Sequence, residues 1–173
     1  LVMGNTVVAK PSSMTPLTAS ALAEIMNEAG LPNGVFNLVH GSGSKVGKPL
    51  SLHQDIAAVS FTGSTDAGAK VSEAASSTFK KISLELGGKN PTIVFADSDL
   101  KNAINGTVRA AFTNQGQVCL CGSRILVERK IHDQFLEGVV KATKKMKIGN
   151  PSDKNVDLGA VISHEHRDKV EEY

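Results

Sequence analysis

The stretch IAAVSFTGSTDAGAKVSEAASSTFKKISLEL, residues 56–86, decides the fold class. IAAVSF (56–61) is a short run of apolar and β-branched residues, the pattern of a buried strand. FTGST (61–65) then places a glycine between Thr62 and Ser64, two hydroxyl residues able to cap a helix. TDAGAKVSEAAS reads as that helix, and KKISLEL (80–86) as a second strand. A strand, a helix and a strand in this rhythm predict parallel strands bridged by a helix, and therefore an α/β protein.

The same rhythm extends in both directions. Upstream, NTVVAK (5–10) reads as a strand, and Thr15 is an N-cap candidate with Pro16 in the first turn. Leu17, Ala21, Leu22, Ile25 and Met26 form the apolar stripe of a helix that Gly30 and Pro32 terminate. GVFNLV (34–39) is the next strand, followed by the glycine-rich HGSGSKVG and a short helical stretch. Downstream of GGK (87–89) comes a strand at PTIVFA (91–96). A helix capped by Asp99 follows, with Leu100, Ile104, Val108 and Phe112 as its stripe. RILVE (124–128) is a strand, and a helix beginning near Ile131 carries Phe135, Val139 and Met146 on one side. The double glycine sets a domain boundary near Gly87, giving units of 1–86 and 87–173. The fold expected is a parallel sheet with flanking helices on both faces.

Composition excludes several classes of function. Of the 173 residues 40% are hydrophobic, enough for a sizeable core. No Trp is present and aromatics are sparse, which argues against stacking platforms for nucleic acid. The net charge of +2 is scattered; Lys141, Lys144, Lys145 and Lys147 have the spacing of a solvated helix face. No run approaches the ~18 apolar residues of a membrane span, and no signal peptide opens the chain. The opening LVMGNTVVAK is apolar and lacks an initiator Met, so the sequence reads as an internal segment of something longer. Two cysteines are too few for a disulfide framework and favour a reducing, cytoplasmic setting.

Four places can carry chemistry. GSGSKVG (41–47) follows a strand and enters a helix; its GxGxxxG spacing suits either a phosphate loop or a plain tight turn. FTGST leaves free N–H groups at a helix start, where an anion is favoured; ordinary capping by one of its hydroxyls is the other reading. In LELGGKNP (84–91), Glu85 ends an apolar strand: it is either a strand-edge carboxylate in water or a buried one, which is costly unless paired or used as a base. NQGQVCLCGSR (114–124) holds Cys119 and Cys121. A disulfide across one residue is strained, and His164-Glu165-His166, the other dense cluster, lacks metal-site spacing. An extended segment would turn both thiols the same way. A packing cysteine and a nucleophile both remain open readings.

Taken together, KPSSMTPLTA, FTGST, LELGGKNP and NQGQVCLCGSR, in this order and spacing, resemble the aldehyde dehydrogenase superfamily over the whole chain. The resemblance implies a Rossmann-like cofactor domain joined to part of an α/β catalytic domain. It implies NAD(P)-dependent oxidation of an aldehyde to an acid, with Cys119 as nucleophile and Glu85 as the base that activates water. The Cys119 N–H would form half of an oxyanion hole, and Cys121 would pack nearby. Lys10, Ser13, Gly41, Gly43, Ser64 and Leu86 would line the NAD site, and no metal is implied. The partners implied are a small aldehyde and, for a full-length parent, a second copy in a homodimer or homotetramer; no nucleic acid or membrane is implied.

Other family elements would lie outside the chain: an upstream asparagine donor, a later glutamate on the nicotinamide ribose, and the oligomerisation strand. On that reading the segment alone is inactive. Where many members carry Glu after KPS this chain has Ser13, which relaxes discrimination against NADP. SLELGGKNP with GQVCLCGSR is similar to the branch that oxidises 2-aminomuconic semialdehyde. The rival readings are a coenzyme A-acylating dehydrogenase and a truncated or non-catalytic relative.

Overall fold

The computed structural model describes all residues, Leu1–Tyr173, and divides into two compact units, Leu1–Leu86 and Gly87–Tyr173. Each is built from parallel strand pairs joined by a helix. In the first unit β1 (Val7–Ala9) pairs with β2 (Phe36–Leu38), with Val7 opposite Phe36, and α1 (Leu17–Glu28) lies between them in sequence. A π-helical turn, Gly43–Gly47, leads into the short α2 (Lys48–Leu52). β3 (Ala58–Gly63) and β4 (Lys81–Leu86) form the second pair, bridged by α3 (Thr65–Ser76). The second unit pairs β5 (Asn90–Val94) with β6 (Gly122–Val127), bridged by α4 (Leu100–Phe112). It continues through α5 (His132–Thr143) and α6 (His164–Glu171). The expected α/β class with parallel strands and flanking helices is the fold observed. No helix is long and apolar enough to cross a membrane.

The expectation differs from the structure in three respects. The strands hydrogen-bond two by two rather than in one longer sheet; β1 and β2 span only three residues each and present few ladder groups. Pro16, not Thr15, is the N-cap of α1, and no side chain caps it. The Thr15 N–H turns back to the Ser12 carbonyl at 3.2 Å, which closes the preceding turn one residue late. The α1 stripe also stays open, with Leu17 80% and Ile25 60% exposed.

Helix ends otherwise follow local chemistry. Gly30, at φ +82°, closes α1 with its N–H on the Asn27 carbonyl, while Leu31 N–H reaches Met26. That paired pattern satisfies two orphan carbonyls and needs the left-handed residue glycine supplies. Asp99 caps α4 through Asn102 N–H at 3.0 Å. At the start of α6 a backbone N–H and the Ser163 hydroxyl hold the exposed Glu165 carboxyl below its ordinary range.

The second unit has a defined apolar core. Val94, Val108, Phe135 and Val139 are buried, and Ile104, Val127 and Met146 pack against them. This cluster seats α4 and α5 together with the β5–β6 pair, and so fixes the frame from which the cysteine segment departs.

Candidate functional site

The cysteine segment begins where α4 stops. The Thr113 hydroxyl donates to the Arg109 carbonyl at 2.6 Å. Asn114 and Gln115 then adopt φ +52° and +55°, and Gly116 φ +72°. Left-handed backbone is costly for residues with a Cβ, so consecutive non-glycine examples mark a turn imposed by its surroundings. A second turn follows at once, closed by Cys121 N–H on the Val118 carbonyl at 2.9 Å. β6 starts at Gly122, where a Cβ would stand 2.1 Å from Thr92 Oγ1; only glycine lets the strands approach here.

This second turn means that the segment is not extended, the case in which both thiols would turn the same way. The two free thiols do not share an environment: Cys119 is exposed, whereas Cys121 is buried with its Sγ 3.9 Å from the Thr113 carbonyl. The backbone N–H of Cys119 has no hydrogen-bond partner in the chain. The Cys119 carbonyl does have one. The Asn90 side-chain amide donates to it at 2.6 Å and to the Cys121 carbonyl at 3.1 Å. Sequence reading passed over Asn90. The available signal was an asparagine heading a strand, a position its weak β propensity disfavours unless the side chain has a task.

In the first unit Glu85 lies on β4 opposite Thr62. Its side chain is exposed rather than buried, because strand alternation puts Leu84 and Leu86 on the covered side. Leu86 faces Gly63 in register and packs against Gly68, where a Cβ would stand 2.7 Å from Leu86 Cδ2. Ser64 begins α3. Its hydroxyl accepts from Ala67 N–H at 3.3 Å and its carbonyl from Gly68 N–H at 2.9 Å. The N–H groups of Thr65 and Asp66 are left without a partner in the chain. Thr62 sits within β3 and does not cap.

Three of the expected cofactor residues meet at one atom. Lys10 Nζ donates to the Gly41 carbonyl at 3.3 Å and to the Pro11 carbonyl at 2.7 Å. Ser13 Oγ donates to the same Gly41 carbonyl at 3.1 Å. Gly41 has φ +149°, and a Cβ there would stand 2.4 Å from Val46 Cγ2. The loop after it uses its own N–H groups: Ser42 accepts from Lys45 at its hydroxyl and from Val46 and Gly47 at its carbonyl. The N–H groups of Gly43 and Ser44 have no partner in the chain, so the hydrogen bonding fits both readings of GSGSKVG. Gly43, with open space around it, lies in that loop.

The comparisons with known proteins agree on one family. The model of the aldehyde dehydrogenase family matches residues 1–173. The chain is 51% identical to the 2-aminomuconic semialdehyde dehydrogenase of Danio rerio over 98% of its length, and 51% identical to the betaine aldehyde dehydrogenase of Bacillus subtilis over 100%. It spans 35% of the length of each of these relatives. Among solved structures, the betaine aldehyde dehydrogenase of Staphylococcus aureus in complex with NAD+ is 43% identical, with a TM-score of 0.94 over 97% of this chain and 33% of that one. An NAD-dependent aldehyde dehydrogenase of Sinorhizobium meliloti is 44% identical with a TM-score of 0.95, again over 97% of this chain and 33% of that one. With the cysteine turn, the glutamate strand and the Lys10–Gly41 hub all present in a chain matched from end to end, this protein belongs to the aldehyde dehydrogenase family.

Proposed function

We propose that this chain carries the nucleophile, the general base and the dinucleotide contacts of an enzyme that oxidises an aldehyde to a carboxylic acid with NAD. The observation that carries the reading is the turn at residues 118–121, which exposes the Cys119 thiol, leaves its N–H free and buries Cys121. A nucleophile must reach substrate, and an oxyanion needs a donor aimed where charge develops. Cys119 offers both from one residue.

The donor set of the first unit suits a dinucleotide. Lys10 spends two of its three N–H bonds on carbonyls and keeps one, next to the Ser13 hydroxyl, for ribose oxygens. The unpaired N–H groups of Thr65 and Asp66 suit a phosphate oxygen at the start of α3. Leu86 and the residues beside Gly41 would bound the site. NAD, when bound, accepts a hydride.

The chain's own part is as follows. The Cys119 sulfur, as thiolate, attacks the aldehyde carbon, and the C=O π pair moves onto oxygen, to which the Cys119 N–H donates a hydrogen bond. Loss of hydride from that carbon leaves a thioester on Cys119. Glu85 takes a proton from water as its oxygen attacks the thioester carbon; the C–S bond breaks and the acid leaves. Use of this base supports hydrolysis over transfer to coenzyme A. The NAD+ complex of the Staphylococcus aureus neighbour supports NAD as the main cofactor, and Ser13 in place of a carboxylate supports measurable use of NADP.

For the substrate we favour a semialdehyde such as 2-aminomuconic semialdehyde, on the Danio rerio relative; the Bacillus subtilis relative, at the same identity, makes betaine aldehyde the alternative. The test uses the protein at its natural length, following cofactor reduction with each aldehyde. Cys119→Ala abolishes turnover, Cys121→Ala retains most of it, and iodoacetamide labels Cys119 first. Glu85→Gln gives a rapid burst of reduced cofactor and then stalls, losing ~10²–10⁴-fold in steady-state turnover. Retained turnover in Cys119→Ala removes the nucleophile assignment, and unchanged turnover in Glu85→Gln removes the base.

A further inference from the structure

We infer that Asn90 is a positioning residue for the nucleophile: its side-chain amide clamps the carbonyls of Cys119 and Cys121, and so holds the turn with one thiol out and the other in. This rests on the reading of Cys119 as nucleophile given above.

The geometry fits a clamp. The amide nitrogen has two hydrogens, and the two carbonyls on either side of Leu120 each receive one, at 2.6 and 3.1 Å. The orientation of the amide is fixed by its partners, since both are acceptors and the amide oxygen in that place would face two carbonyl oxygens. That oxygen lies instead 3.3 Å from where a Cβ on Gly88 would stand, so Gly88 leaves the room the rotamer needs.

The backbone aims the side chain. Asn90 pairs with Gly122, but Pro91 pairs with Arg124, so Ser123 is an extra residue on β6. Such a bulge bends the strand and redirects the side chains beside it. Asn90 therefore stands at the mouth of β6, directly beside the turn that precedes it.

The consequence for chemistry is specific. With its carbonyl tied to Asn90, the peptide after Cys119 cannot rotate freely. The preceding peptide, which carries the Cys119 N–H, is held only through the turn's own bond from Cys121 to Val118. Asn90 touches no reacting atom; it sets where the sulfur and the N–H sit. Loss of its two bonds loosens the turn, exposes Cys121 and lowers the rate of the steps at Cys119 without affecting dinucleotide contacts made by Lys10, Ser13 and Ser64.

The test compares Asn90→Ala, Asn90→Asp and Asn90→Gln with the wild type in the protein at its natural length. Iodoacetamide labelling of each cysteine is read by peptide mass, and kcat and KM for NAD are measured in parallel. In Asn90→Ala, two lost neutral hydrogen bonds raise Cys121 labelling by about tenfold or more and lower kcat by a similar factor. KM for NAD changes by less than about twofold, since the interaction lost is not one made with the cofactor. Asn90→Asp has the same shape but turns a carboxylate toward two carbonyl oxygens, so it is worse than Asn90→Ala. Asn90→Gln keeps both donors on a longer stem and recovers part of the protection. If Asn90→Ala fails to fold, the contrast of Gln with Asp gives the same decision.

A residue that merely fills space gives another order, with Asp close to the wild type and Ala the worst; that order overturns the proposal. So does unchanged protection of Cys121 in both Asn90→Ala and Asn90→Asp. If the labelling behaves as expected while Cys119→Ala still turns over, the clamp stands and the nucleophile assignment alone falls.

Discussion

The two units are held together by different means. In the second, Val94, Val108, Phe135 and Val139 close a core on which Leu100, Ile104, Val127, Ile131 and Met146 also pack. In the first, the buried apolar side chains are those of Ala74 and Ala75, and the other buried positions are Gly68 and the polar Ser51 and Lys80. Its organising features are polar instead. Lys10 and Ser13 share the Gly41 carbonyl, Ser42 gathers three N–H groups, and the Lys80 ammonium caps the end of α2 at the His53 carbonyl. Apolar burial scales with the area removed from water, whereas a hydrogen bond exchanged with water contributes little net stability. The second unit is thus a frame for the cysteine turn, and the first is organised by hydrogen bonds among its own donors and acceptors.

The largest effect expected from this contrast is at Phe135, 2% exposed and central to the core. Phe135→Ala should cost about 3–5 kcal/mol, the range for emptying a buried aromatic site. Chemical denaturation followed by probes placed in each unit should show the loss in the second unit. A loss of less than about 1 kcal/mol would mean that the second unit owes its stability to something other than this cluster.

Much of this division was legible in the sequence. The stripe Leu100, Ile104, Val108 and Phe112 has helical spacing, Asp99 stands where a cap belongs, and Val108 is in the core while Asp99 caps α4. Ser64 was likewise readable as a cap, since a hydroxyl directly before a helical run has a local role that needs no partner elsewhere. Contacts between residues distant in sequence were not readable. Nothing in GGKNP announces that Asn90 reaches the carbonyls of Cys119 and Cys121, because a side-chain-to-backbone bond leaves no periodic pattern. The three left-handed residues before the cysteines were hidden for a similar reason. Gly116 invites such a conformation, but Asn114 and Gln115 adopt it only because the chain around them requires it. The run ISLEL, apolar in composition, leaves both a covered and a solvated Glu85 open, because strand alternation decides which side chains are covered.

A smaller effect is expected at the polar hub. Ser13 donates to the Gly41 carbonyl beside Lys10, and Ser13→Glu exchanges that hydroxyl for a carboxylate near the ammonium. Such a carboxylate accepts hydrogen bonds from ribose hydroxyls and repels a 2′-phosphate. The ratio of kcat/KM for NAD over NADP should rise by ~1–3 kcal/mol, up to about a hundredfold, chiefly because NADP weakens. Steady-state kinetics with both cofactors measures it. An unmoved ratio would place Ser13 away from the ribose and leave the hub with a purely structural task.

The smallest effect should be on α1, and it bears most directly on the contrast between the units. Ile25 belongs to an apolar stripe whose spacing is as good as that of α4, yet it is 60% exposed. Val139 on α5 is 9% exposed. Spacing shows that a helix has an apolar face; it does not show that anything covers that face. Ile and Ser have similar helix propensities, so Ile25→Ser isolates the worth of the side chain's contacts from that of the helix itself. With most of the side chain already in water, the stability of this chain should change by no more than about 0.5 kcal/mol. Denaturation at low and high protein concentration distinguishes two outcomes. A small change at both means that the stripe stays open and that unit one stands on its polar contacts. A loss above about 1.5 kcal/mol that grows with concentration means that the stripe is covered in solution by another copy, and that the first unit completes its core between chains.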